Sequence, residues 1–121
     1  MKSDTLLLER IESAFQTENR KRQMFLVGEA LERILRNQTD DEVATENTRY
    51  HNGTGFSGAD GKIGTSMAKF YVKRGFLTPK QVAYWMKSMK NGKPRILKYR
   101  KQLLEFAKQK MKSNGKFLKN N

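Results

Sequence analysis

The run Tyr50-His51-Asn52-Gly53-Thr54-Gly55-Phe56-Ser57-Gly58 is where the chain concentrates residue types able to do chemistry. It contains a G-x-G-x-x-G string, and backbone N–H groups in such a loop can nest a phosphate, which makes Asn52, Gly53 and Gly55 a candidate phosphate loop. The string lacks the preceding strand of a dinucleotide fingerprint and the closing lysine of a P-loop. The alternative is a connecting loop that packs Phe56 back on the core. His51 is the only histidine and there is no cysteine, which excludes a His-rich or thiolate metal site. Asp60 has no carboxylate within a helical turn, and Ser57 and Ser66 have no identifiable base. No catalytic residue, metal ligand set or cofactor motif is expected. The residual enzymatic reading pairs Asp60 in space with an acidic residue of the N-terminal half.

A second chemistry is carried by charge. From Arg49 to the C-terminus eighteen Lys and Arg face two acids, Asp60 and Glu105, whereas residues 1 to 48 hold seven basic and ten acidic side chains, within a net charge of +13. A sign change part-way along a chain points to one end specialised for a polyanion, and phosphates need cations at several spaced points. The candidate nucleic-acid contacts are Lys69, Lys73 and Arg74, then Lys80, Gln81, Tyr84, Lys87 and Lys90, then Lys93, Arg95, Lys98, Arg100 and Lys101. DNA is preferred to RNA as the partner; the plain alternative is a solvated basic face. The turn Gly75-Phe76-Leu77-Thr78 between two helical segments has helix-turn-helix form, which would aim Lys80, Gln81 and Tyr84 at bases or phosphates. Tyr84 and Trp85 could also stack on unpaired bases, although Trp85 lies on an apolar stripe and is better placed in the core.

The elements that must position these residues read as helices. With 121 residues, 36% hydrophobic and 31% charged, the chain suits one small all-α domain of helices with thin apolar stripes. Leu7, Leu8, Ile11, Ala14 and Phe15 predict a helix over 5–16, and Met24, Val27, Leu31, Ile34 and Leu35 a second one. Thr39 and Glu42 have capping-box form and predict a short separate helical piece. A glycine loop follows from Asn47 to Gly64. Ser57 or Asp60 would cap a helix carrying Ile63, Met67, Phe70 and Tyr71, closed by Gly75. Thr78, Pro79 and Gln81, with Leu77 and Val82 as a staple, start a helix whose stripe is Val82, Trp85, Met86 and Met89. Asn91-Gly92 makes a turn, Pro94 opens a last helix with Ile96, Leu97, Leu103, Leu104 and Ala107 inward, and Lys98, Lys101, Lys108 and Lys112 lie outward. The expected organisation is an acidic-to-neutral helical pair (1–48) for a partner or homodimer contact, a basic nucleic-acid-binding part (49–113) and a disordered basic tail (114–121). No membrane span and no secretory signal are expected, which suits the cytoplasm.

Asn52-Gly53-x-Gly55-Phe56, Asp60-x-x-Ile63-x-x-Ser66, Gly75-x-Leu77-Thr78-Pro79-Lys80-Gln81 and Lys98-Tyr99-x-x-Gln102-Leu103 together resemble a short segment of phage- and plasmid-encoded DNA-metabolism proteins, including some helicases. The resemblance covers residues 50–103 and includes no catalytic signature and no helicase motor. In those proteins the last two parts lie on one continuous helix, which Asn91 to Arg95 interrupt here. It implies a phage or mobile-element origin, a bacterial host cytoplasm and an accessory role near nucleic acid. The expectation is a non-catalytic nucleic-acid-binding accessory protein; the alternative is a phage-encoded inhibitor or adaptor that binds a host protein or nucleoprotein complex.

Overall fold

Local sequence signals set most helix boundaries in the computed structural model, which describes residues 2–44 and 55–119, with side chains over 4–39 and 55–110. The elements are α1 (Lys2–Phe15), α2 (Arg20–Ala44), α3 (Gly61–Arg74), α4 (Pro79–Met86), a 3-10 helix (Arg95–Tyr99) and α5 (Arg100–Lys119). Asn19 opens α2 by accepting from the Arg22 N–H at 3.1 Å, and the Gln23 amide closes α1 by donating to the Phe15 carbonyl at 2.9 Å. The α4 start is as the sequence predicts. Thr78 Oγ1 accepts from the Gln81 N–H at 3.2 Å, and the Gln81 side chain accepts from the Thr78 N–H at 2.8 Å. Gly75 ends α3 at φ 80°, donating its N–H to the Tyr71 carbonyl.

Several expectations are corrected. Thr39 does not cap a separate helix: its hydroxyl donates to the Leu35 carbonyl at 3.1 Å inside an unbroken α2. Ile63 alone departs from the expected α3 stripe, at 41% exposed: Tyr71 is buried, Met67 and Phe70 pack partly buried against the core, and Gly64 and Ala68 are buried beside them. Met89 is off the α4 stripe, because α4 ends at Met86 and residues 87–95 fold into a narrow turn. Met89 N–H donates to the Lys93 carbonyl, Arg95 N–H donates to the Lys87 carbonyl, and Gly92 supplies the positive φ of 81°. Pro94 opens a 3-10 helix rather than an α-helix, and α5 carries helical backbone through Lys119, across most of the stretch read as a tail.

The core gathers on α2. Val27, Leu31 and Ile34 of that helix meet Phe15 of α1, Ala68 and Tyr71 of α3, Leu77, Val82 and Trp85 around α4, and Ile96, Leu97, Tyr99 and Leu103 beyond. Both sides of residue 48 share this core, so the change of sign there divides charge and not packing. Gly28 allows α2 and α3 to approach: a Cβ there would stand 2.2 Å from the Tyr71 ring. That ring is tethered by its hydroxyl, which donates to Glu29 at 2.8 Å.

Alanine inside a helix is favoured over glycine by about 0.5–1 kcal/mol, whereas overpacking a core costs about 1–3 kcal/mol. Gly28→Ala is therefore expected to lower stability on balance, and a raised urea midpoint would show that the Tyr71 ring moves freely. Thr78→Ala is expected to cost about 0.5–2 kcal/mol through its cap, read in the same denaturation experiment.

Candidate functional site

Asp60 occupies the N-cap position of α3, yet its side chain makes no capping bond. The carboxylate is fully buried and turned toward the 3-10 helix. Arg95 donates to Oδ1 twice, from Nη2 at 2.6 Å and Nε at 3.1 Å. Lys98 reaches Oδ2 at 2.8 Å, and the Tyr99 hydroxyl donates to the same oxygen. Ser57 completes the cluster: its N–H donates to the Tyr99 oxygen at 3.1 Å, and its hydroxyl accepts from Lys98 at 3.1 Å. A 3-10 helix makes this possible because residues three apart eclipse each other, placing Arg95 and Lys98 on one side.

The titration behaviour follows the geometry. Burial by itself would push the Asp60 carboxyl up, but the bonds from Lys98, Tyr99 and Arg95 outweigh it and hold it below the ordinary carboxylate value. Burial, then the bond to Asp60, push the Tyr99 phenol up to about 12. Asp60 in turn raises Arg95.

Next to this cluster two glutamines clip the loop backbone. Gln102 donates to the Gly55 carbonyl at 3.0 Å and accepts from the Gly55 N–H at 3.0 Å, while Asn37 donates to the same Gln102 oxygen. Gln38 accepts from the Phe56 N–H at 3.1 Å. Gly55 has φ 84°, and a Cβ on it would lie 2.5 Å from the Gln38 side chain. The Phe56 ring then packs against Trp85 and Tyr99, with centroids 5.9 Å and 5.7 Å away, over Gly64.

These facts revise the candidate phosphate loop. Asn52 and Gly53 lie outside the described residues, and both polar backbone groups of Gly55 are already engaged by Gln102, so Gly55 offers no N–H to a phosphate. Over the described residues 55–58 the Phe56 side chain packs inward against the core. Asp60 has two cations and one hydroxyl, that of Tyr99, as its bonding partners rather than a second carboxylate. Lys98 donates to both Asp60 and Ser57. Among the described residues no three His, Asp or Glu side chains are placed to hold a metal ion. The apolar hollow lined by Met24, Leu77, Pro79 and Val82, about 240 Å³, falls below the roughly 300–1,000 Å³ of small-molecule sites.

The structure also sorts the basic residues. Arg95 and Lys98, expected on the nucleic-acid surface, are committed to Asp60 and only 31% and 32% exposed in their side chains. Lys93 pairs with Glu12 at 3.0 Å, and Lys108 with Asp4 at 3.4 Å. Gln81 spends its oxygen on the Thr78 cap, and Tyr84 lies edge-on to Trp85 beneath the Arg95 guanidinium. All of these are already engaged within the chain. Lys69, Lys73, Lys80, Lys87, Lys90 and Lys101 are exposed and have no acidic partner among the described residues; Arg74 lies over the Phe70 ring. Arg100 is partly exposed and likewise unpaired among those residues. Sequence reasoning missed Lys62, which shares one face of α3 with Ser66, Lys69 and Lys73 at helical spacing. It also missed Asn37, Gln38 and Gln102 as loop clips. The available signal was that Asp60 is one of two acids in a strongly basic stretch.

Asp60→Asn is expected to lose about 1–3 kcal/mol at neutral pH by weakening a buried network. A lowered folded-state pKa places the Asp60 contribution above the unfolded value of about 3.9 and removes it as pH falls through the folded one. The variant should therefore lose part of the acid dependence of the wild type. Tyr99 has the opposite sign. Its contribution is complete below its unperturbed value of 10.0 and disappears as pH rises through about 12, so Tyr99→Phe should flatten that alkaline limb. Urea midpoints across the range from strongly acidic to strongly alkaline pH test both; parallel profiles for all three proteins would refute the assignment.

No protein-family model, curated protein or solved structure matches the chain, so its function is read from its own chemistry.

Proposed function

We propose that the chain is a non-catalytic accessory protein that grips the backbone of nucleic acid, DNA in preference to RNA, through the exposed cations of α3, α4 and the turn after it. One observation carries this: in a chain of net charge +13, the acids Asp4, Glu12 and Asp60 are already engaged with Lys108, Lys93, Arg95 and Lys98, and Lys62, Lys69, Lys73, Lys80, Lys87 and Lys90 remain exposed without acidic partners among the described residues. Uncompensated lysines spaced along a helix face meet the requirement of a phosphate chain, whose bound counterions are released on contact. Supporting the accessory role is the resemblance of residues 50–103 to phage- and plasmid-encoded DNA-metabolism proteins. Its residues Gly55, Phe56, Asp60, Lys98, Tyr99 and Gln102 belong to the buried clamp, so the resemblance bears on the scaffold more than on the binding surface. A phage-encoded protein of this kind would act in the bacterial cytoplasm.

Combining Lys62→Ala, Lys69→Ala and Lys73→Ala should weaken duplex binding on every sequence alike and reduce the salt slope by about 0.9 for each phosphate no longer neutralised. Lys93→Ala, whose charge is answered by Glu12, should change it far less. Fluorescence anisotropy at several salt concentrations measures both. Flat salt dependence in the wild type would reject the proposal and favour an inhibitor or adaptor whose basic face meets an acidic host protein.

A further inference from the structure

We infer that Phe76 is a stacking platform for unpaired bases, which makes the basic surface a single-strand site; the inference rests on the nucleic-acid reading above and specifies its ligand. The turn between α3 and α4 turns adjacent apolar residues in opposite directions. Leu77 goes into the core, and Phe76 stays 45% exposed. The Gly75 backbone, in the left-handed region, makes that reversal possible.

An exposed phenylalanine beside a turn is unremarkable alone, but this ring meets a second ring and is flanked along the chain by cations. Phe70 meets it edge to face, with centroids 5.6 Å apart and planes at 85°, and the Arg74 guanidinium lies 5.7 Å over the Phe70 ring. Support from behind fixes the orientation before any ligand arrives, so less rotational freedom is lost on binding. Along the chain Phe76 is flanked by Lys73 and Arg74 in the last turn of α3 and by Lys80 in the first turn of α4, none with an acidic partner among the described residues.

The charge and the ring select the occupant together. An apolar protein surface docked here would bury three cations without counter-charge. A duplex satisfies the cations but keeps its base faces stacked inside. A single strand offers phosphates to Lys73, Arg74 and Lys80 and an aromatic face to Phe76, the combination used for sequence-tolerant single-strand binding. The role expected for Tyr84 thus passes to Phe76, since Tyr84 is engaged with Trp85 and Arg95. Phe25, 52% exposed on α2, makes no ring contact with another aromatic among the described residues.

The experiment compares a fluorescent oligothymidylate with a duplex of equal length, using the full chain at one salt concentration. Phe76→Ala should weaken single-strand binding roughly 5- to 150-fold, the equivalent of one base stack, and leave duplex binding within about twofold. Phe76→Trp should retain binding, and its fluorescence should be quenched by the oligothymidylate but not by the duplex; the native Trp85 is buried and supplies a constant background. Equal weakening on both ligands, or none on the single strand, overturns the inference. If Phe76→Ala has no effect while Lys69→Ala with Lys73→Ala weakens both ligands, the backbone reading stands and stacking fails. Wild-type binding to neither ligand overturns both.

Discussion

A carboxylate taken wholly out of water costs several kcal/mol even after relaxation, and the fold is arranged around recovering that cost at Asp60. Arg95, Lys98 and Tyr99 must all reach it, which fixes the 3-10 helix against the start of α3. The local backbone follows from the requirement. An α-helix from Arg95 would spread positions 95 and 98 by about 60° around the axis, whereas the tighter winding aligns them. Tyr99 is then carried round toward the same carboxylate and the Phe56 ring, and α5 can begin at Arg100 as an ordinary helix.

The glutamine clips and the aromatic stack depend on that anchor. Once Asp60 is held, residues 55–57 run beside α2 and α5 without a regular element of their own, and their backbone groups need partners. Gln102 acts toward Gly55 as a neighbouring strand would, donating to its carbonyl and accepting from its N–H, and Gln38 takes the Phe56 N–H. Phe56 descends between Trp85 and Tyr99 onto the bare backbone of Gly64. Residues 55–57, the described end of a loop that looks like a phosphate nest in sequence, therefore form a plug whose polar backbone edge is closed by side chains.

What was legible in the sequence is what short-range chemistry determines. Thr78-Pro79-x-Gln81 encodes a helix start within four residues, and Gly75 encodes a stop, because capping needs only neighbours. The α2 stripe was equally plain. Contacts at long sequence separation were hidden: nothing near Asp60 announces Arg95 thirty-five positions on, and nothing near Gly55 announces Gln102. Thr39 misled for a physical reason. A threonine hydroxyl that could cap a new helix can equally donate back to the carbonyl four residues earlier, and the choice is made by the packing of α2. Ile63 misled at one position only: Met67, Phe70 and Tyr71 of the same stripe pack inward, while Ile63 stays 41% exposed.

Charge shows the same limit in another form. The sign change near residue 48 was visible, but an acidic end and a basic end are only a surface property if they stay apart. Here Asp4 reaches Lys108 and Glu12 reaches Lys93 across the α1 side of the molecule, so part of the contrast is consumed within the chain. The Asp60 cluster consumes more, holding two cations against one carboxylate. What remains is the set of cations whose field no neighbouring acid among the described residues cancels: Lys62, Lys69, Lys73, Lys80, Lys87 and Lys90 on α3, α4 and the turn after it, with Arg100 and Lys101 at the start of α5. A whole-chain charge of +13 predicts attraction to any polyanion, whereas the unpaired subset is the part of that charge on which the proposed nucleic-acid reading rests.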